Sequence, residues 1–151
     1  MNEKFDALTR ALKEMWVYSV VYLHVQKEKI RLAFAIHMAK QLQKAKNKRF
    51  YVIPNAQGKL IWLCNDDIKA MKKPRKVRKH IGGKFRTFKF YMLPPKTTHM
   101  DVMRDCVYYT PESWNNQNGI TVEERNQRSR KWIEYVEKKR LDRMFGKYKL
   151  Q

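Results

Sequence analysis

No acidic residue lies between Asp67 and Asp101, although eleven Lys or Arg do. A one-sided cluster of this kind repels itself unless a polyanion or an acidic protein surface neutralises it. Cysteine is almost absent: Cys64 and Cys106 are the only two, far apart and in apolar surroundings, which leaves no basis for a disulfide framework. With no Cys-X-X-Cys and no Cys/His cluster, no zinc site is expected. Proline and glycine number five each, and neither occurs before Pro54, so nothing breaks a helix in the first third of the chain. Long apolar runs are missing too. The longest, Met15 to Val25, includes Ser19 and His24 and is too short to span a bilayer. The start, Met1-Asn2-Glu3-Lys4, is charged and does not read as a signal peptide. The expectation is a soluble intracellular chain or part of a particle assembled in a cell.

What is present can fold. Apolar residues make up 43% and aromatics 13% of 151 residues, enough to fill a core despite a net charge of +20. Residues 4–46 read as helix, in one piece or two. Leu8, Leu12, Met15, Trp16 and Ser19 follow helical spacing, as do Ile30, Ala33, Phe34, Met38 and Leu42. Bands of this kind pack on a core or a partner helix. The β-branched and aromatic stretch from Val17 to Val25 would also suit a strand, but its flanks favour helix. Heptad order is not sustained enough to predict a coiled coil.

Residues 49–64 predict a β-hairpin turning at Pro54-Asn55-Ala56-Gln57-Gly58. Asn65 stands where an N-cap belongs, followed by Asp66 and Asp67 in the first turn of a short helix that Pro74 ends. Gly82-Gly83 then turns the chain into a third strand, Phe85 to Leu93, closed by Pro94-Pro95. Thr98 with Asp101 opens a short helix through Cys106, and residues around Tyr108-Tyr109-Thr110-Pro111 read as irregular. Thr121 and Glu124 form a capping box for a final helix to about Phe145, with Gly146 as its stop. That helix buries Trp132, Ile133, Val136 and Met144 and is basic elsewhere. The fold class is α+β: a long N-terminal helical segment, a small antiparallel sheet of about three strands and a basic C-terminal helix. As one domain, it divides into a helical arm (1–46), a small α+β core with a basic loop (47–111), and a loop with the last helix (112–151).

Chemistry finds few convergent groups. His24 and His37 lie in apolar helical stretches and read as core or boundary residues. His80 sits inside the basic cluster, which favours its neutral form. His99 and Asp101 are close enough to orient an imidazole, but no nucleophile motif accompanies them. Asp66 and Asp67 read as helix-capping residues. Gly82-Gly83-Lys84 fails as a phosphate loop: Phe85 follows the lysine, and no glycine lies five residues before Gly83. No catalytic residue, metal ligand or cofactor is expected.

The basic stretch has three readings: a solvated loop, contact with nucleic-acid phosphates, or docking on an acidic protein. Lys72, Lys73, Arg75, Lys76, Arg78, Lys79, Lys84 and Arg86 are the expected polyanion contacts. Phe85 and Tyr91 are candidates to stack on bases, while Phe88, Phe90 and Met92, spaced by two, read as core. No zinc-finger spacing, RNA-recognition signature or Gly-X-X-Gly clamp is present, so binding is expected to be sequence-independent and salt-dependent.

The segment Ala39-Lys40-Gln41-Leu42-Gln43-Lys44-Ala45-Lys46-Asn47-Lys48-Arg49-Phe50-Tyr51-Val52-Ile53-Pro54, followed by Gly58-Lys59-Leu60-Ile61, resembles small basic proteins of Bacteroidetes and their tailed phages, including crAss-like phages. In that group a Lys-Arg-Tyr/Phe-Tyr-Val-x-Pro strand meets a Gly-Lys/Arg-Leu-Ile/Val return strand and a short basic helix, here Ile68 to Lys73. A Tyr-x-Thr-Pro element follows, here Tyr108 to Pro111. The resemblance covers residues 35–75 and 108–111, and departs at Cys64-Asn65-Asp66-Asp67. It carries no activity. It implies a phage or prophage context and a place in the virion; taken with the basic charge, the expectation is a non-enzymatic virion protein at a portal vertex, neck ring or inner capsid, assembled in the host cytoplasm in multiple copies. Its partners would be portal, capsid or ring proteins, with DNA a further candidate and no membrane. The alternative is a stand-alone, sequence-independent nucleic-acid-binding accessory protein.

Overall fold

Nothing interrupts the first helix, and it runs unbroken. The computed structural model describes residues 3–55, 57–72, 78–79, 85–86 and 98–148. Helix α1 spans Glu3–Lys46 in one piece. Its β-branched stretch stays helical because Val17, Val21 and Val25 recur every four residues and bury one face. They pack with Met144, and Val20, Ile133, Leu141 and Phe145 close around them. A β-branched residue costs roughly 0.5 kcal/mol against alanine in a helix, while burying each valine returns about 1.5 kcal/mol or more.

The buried face is not the one the sequence singled out. Along α1, Val17, Val21, Val25, Leu32, Ala35, Ile36 and Ala39 are buried, whereas Leu8, Leu12, Met15, Trp16, Ile30 and Phe34 are each more than half exposed. The helix is apolar on two opposite sides, and only one meets the core described here.

The chain separates into two compact units, Met1–Phe34 with Asn126–Gln151, and Ala35–Arg125. In the first, α1 packs through its valines against the last helix, α4 (Val122–Tyr148). Glu28, buried on α1, is met by Arg31 at 2.9 Å.

The second unit holds the sheet. Strands β1 (Phe50–Pro54) and β2 (Leu60–Cys64) form the expected hairpin in antiparallel register, from Phe50 opposite Cys64 to Pro54 opposite Leu60. Its turn is organised by Asn55, whose side-chain oxygen accepts from the N–H groups of Gln57 and Lys59, both at 2.9 Å. Gly58 takes a φ of 79°, which disfavours any side chain. Asn47 ends α1 in a left-handed conformation, φ 53°, while its N–H still reaches the Gln43 carbonyl at 2.8 Å. Helix α2 (Asn65–Lys72) follows β2 directly. Strands β3 (Arg78–Lys79) and β4 (Phe85–Arg86) come next, then helix α3 (His99–Asp105), strand β5 (Tyr108–Tyr109) and α4.

The protein is α+β, with a long N-terminal helix, a three-stranded antiparallel sheet and a C-terminal helix. The third strand is not the expected one. The order is β2-β1-β5, so Tyr108–Tyr109, read from sequence as irregular, completes the sheet. Phe85–Arg86 pairs instead with β3 in a separate two-stranded ribbon, and the rest of the expected strand, Thr87 to Leu93, lies outside the described residues. Pairing with β1 overrides local pattern here: Thr110 is fully buried, and its hydroxyl accepts from the Phe50 N–H at 2.9 Å. The two short motifs 48–54 and 108–111 therefore meet as neighbouring strands. Helix α3 has its capping box, Thr98 with Asp101. Thr121 starts α4, accepting from the Glu124 N–H at 3.2 Å, but α4 runs through Gly146 to Tyr148 rather than stopping at the glycine.

Candidate nucleic-acid interface

The acid-free stretch is mounted in the second unit, and the described part of it is a ribbon. Arg78 lies opposite Arg86 and Lys79 opposite Phe85 in antiparallel register. The backbone register thus sets two positions of like formal charge directly across the strand pair. Lys72 is the last residue of α2. Lys73, Arg75, Lys76, Lys84 and Tyr91 lie outside the described residues, as do Gly82 and Gly83. Of the ten expected contacts, the structure thus places Lys72 on a helix end and brings Arg78, Lys79, Phe85 and Arg86 together in one ribbon.

A second concentration of positive charge was not picked out from the sequence. The pKa of Lys40 on α1 is held below its ordinary value, first by burial and then by the charges of Arg125 and Lys44. Arg125 comes from the start of α4, and its guanidinium lies 5.7 Å from the centre of the Tyr108 ring. The Lys40–Lys44 spacing, four apart on one helix face, was a legible signal of crowding. The approach of Arg125, distant in sequence, was not.

Arg49 and Lys48 serve the fold. The Arg49 Nε donates to the Thr110 carbonyl at 2.9 Å, one terminal nitrogen donates to the Asn118 carbonyl, and the other meets the Met103 sulfur at 3.1 Å. Its guanidinium also lies 5.2 Å from the Tyr109 ring centre. This one side chain ties β5 and the loop after it to the end of α1. Lys48 pairs with Asp66 at 2.8 Å, raising the lysine pKa and lowering that of the carboxylate. Both line an open cleft of about 590 Å3 with Arg49, Lys69 and Glu112. The cleft mixes both signs, unlike the ribbon.

The acidic residues weighed for catalysis have structural work. Asp67 accepts from the Cys64 N–H at 3.1 Å and its thiol at 3.2 Å, reaching back over the start of α2. Helix α2 begins at Asn65 itself, so Cys64 occupies the capping position expected for Asn65. Asp101 accepts from the backbone N–H and hydroxyl of Thr98, both at 3.0 Å, and lies 3.4 Å from Arg104. It caps the start of α3. His24 is half-buried as expected, but His37 is exposed. His80 lies outside the described residues. Both cysteines are buried free thiols. Among the described residues, no three His, Cys, Asp or Glu cluster as metal ligands, and no helix is long and apolar enough to cross a membrane.

Compared with known proteins, the chain matches no family model, no curated protein and no solved structure.

Proposed function

We propose that this protein is a non-enzymatic, sequence-independent holder of polyanions, with DNA as the polyanion, acting as a structural component of a tailed-phage virion at the portal vertex, neck ring or inner capsid. One observation carries the binding reading: eleven Lys or Arg fall in an acid-free stretch whose described part sets Arg78 opposite Arg86 in a ribbon. Phosphate neutralisation with counterion release is the interaction such a ribbon favours, and it needs no base contact. The crowding of Lys40 by Arg125 and Lys44 supports the same preference for an external anion. The virion setting rests on the resemblance of residues 35–75 and 108–111 to small basic phage proteins. Many copies in one particle would turn weak contacts into stable attachment.

Two measurements test the two parts. If six of the basic residues touch phosphate, affinity for a random-sequence duplex falls on the order of 10³-fold between about 50 and 200 mM salt. Replacing Lys72, Lys73, Arg75, Lys76, Arg78 and Lys79 by Gln then lowers the steepness of the log–log salt dependence by about five. Binding indifferent to salt, or a slope unchanged by the six substitutions, defeats the phosphate reading. Mass spectrometry of purified virions that lack the protein defeats the structural one. DNA binding by a protein absent from virions selects the stand-alone accessory role.

A further inference from the structure

The outward face of α1 has no role in the core and is built for packing. Phe5, Leu8, Leu12, Met15, Trp16 and Leu23 lie along it, each between 57% and 68% exposed. With Ser19 and the equally open Tyr22, they follow steps of three and four: Phe5, Leu8, Leu12, Met15, Ser19, Tyr22. That is the spacing of a two-helix seam, with Trp16 and Leu23 widening one flank. The opposite face is already occupied, where Val17, Val21 and Val25 meet Met144. Lone exposed apolar residues need no explanation, but a continuous stripe over five helical turns marks an interaction surface.

We propose that this stripe is a seam on which a second copy of the same chain packs its own α1. Three observations select that occupant. The first is area. With on the order of 100 Å2 open on each large side chain, the stripe presents about 700 Å2, close to the roughly 800 Å2 per partner of a stable standard interface. The second is charge. The protein carries +20, yet its first 26 residues hold three acids, Glu3, Asp6 and Glu14, against three bases, Lys4, Arg10 and Lys13. This is where two copies can approach without mutual repulsion. An acidic partner would find only Lys4, at the seam's first turn, to recognise.

The third is the state of the polar groups. The Ser19 hydroxyl turns back onto the Met15 carbonyl at 2.8 Å, and that of Thr9 onto the Phe5 carbonyl at 3.0 Å. Neither must be desolvated when a neighbour arrives, so the seam can close dry. Small Ser19 also leaves a shallow, open depression beside Tyr18, Tyr22 and Leu23, against which a partner side chain can pack. A two-fold arrangement supplies both from the same surface.

The inference stands apart from the polyanion reading, and its test is run where that reading is silent. Sedimentation equilibrium of the nuclease-treated full chain in about 0.5 M salt, where exposed charges more than a few Å apart are screened, is expected to give twice the chain mass at micromolar concentration. Leu12→Glu and, separately, Met15→Glu are expected to weaken association at least tenfold, with unchanged helical circular dichroism because both side chains are exposed in the single chain. A monomer at about 100 μM, an affinity too weak for an interface of standard size, overturns the proposal. So does a dimer indifferent to both substitutions. If the single chain instead binds neutral phosphatidylcholine vesicles in a Leu12-dependent way, the stripe belongs to a lipid surface and the proposal fails.

Discussion

The first 26 residues and the stretch from Ile68 to Met100 are opposites. The former balance their charges and are apolar on two sides of one helix, with one side closed by Met144 and its neighbours. The latter hold eleven bases and no acid, and their described part is the end of α2, a ribbon of two-residue strands and the start of α3. Burial holds the one in place from within. The other concentrates one sign of charge, which is the ground for the polyanion role proposed for it. Within one small protein, the apolar surface and the basic residues are thus separated along the sequence, and the association proposed for each is open to its own experiment.

The contrast is broken most severely by salt and by the six Gln substitutions, which together remove an affinity change on the order of 10³ while leaving the helical unit's melting temperature nearly as it was. Next comes a comparison within α1 itself. Val21→Asp places an unpaired charge at a site 3% exposed and is expected to cost about 3–5 kcal/mol in urea unfolding. The same change at Leu12, measured at nanomolar protein, is expected to stay within about 0.5 kcal/mol. Equal losses at both sites would mean that the two faces of α1 do not differ as described. In the sheet unit, Thr110→Val orphans the buried Phe50 N–H and is expected to cost about 1–3 kcal/mol. The smallest effect is that of His24. Burial, then the Arg140 charge, hold its pKa below the ordinary 6.5. The fold therefore favours neutral imidazole. That contribution to stability is complete above pH 6.5 and is lost as pH falls through the lower folded value. The melting temperature between pH 7 and 5 should fall further for the natural chain than for His24→Gln. Parallel curves would remove His24 from the account.

The long helix was legible because nothing in residues 3–46 breaks it, and the hairpin because Asn55 and Gly58 carry its turn. Which face of α1 would be buried was not legible. Both are apolar, and only packing on Met144 and Ile133 distinguishes them. That β5 completes the sheet was hidden for a related reason, while residues 87–93 of the expected strand lie outside the described residues. Phe88, Phe90 and Met92 alternate as a strand should, whereas Tyr108–Tyr109 is too short to show any period and is a strand only because β1 lies beside it. Gly146 misled because a glycine near a helix end stops it only if the chain there turns left-handed, and α4 continues. As for the site, the charge of the basic stretch is a matter of composition and was plain. The pairing of Arg78 with Arg86 needed backbone register, and the crowding of Lys40 by Arg125 needed the fold.

The strand order β2-β1-β5 also constrains the reach of the basic stretch. Its flanking strands lie on either side of β1, so the two ends of the connection are held about 10 Å apart. Once β5 pairs, both ends of this connection, residues 65–107, are fixed to the same sheet. Under the proposed role, the basic residues would be presented between two fixed anchor points rather than on a free tail. On that role, cleaving the chain between β3 and β4 keeps every basic residue and is expected to raise the Kd for duplex DNA.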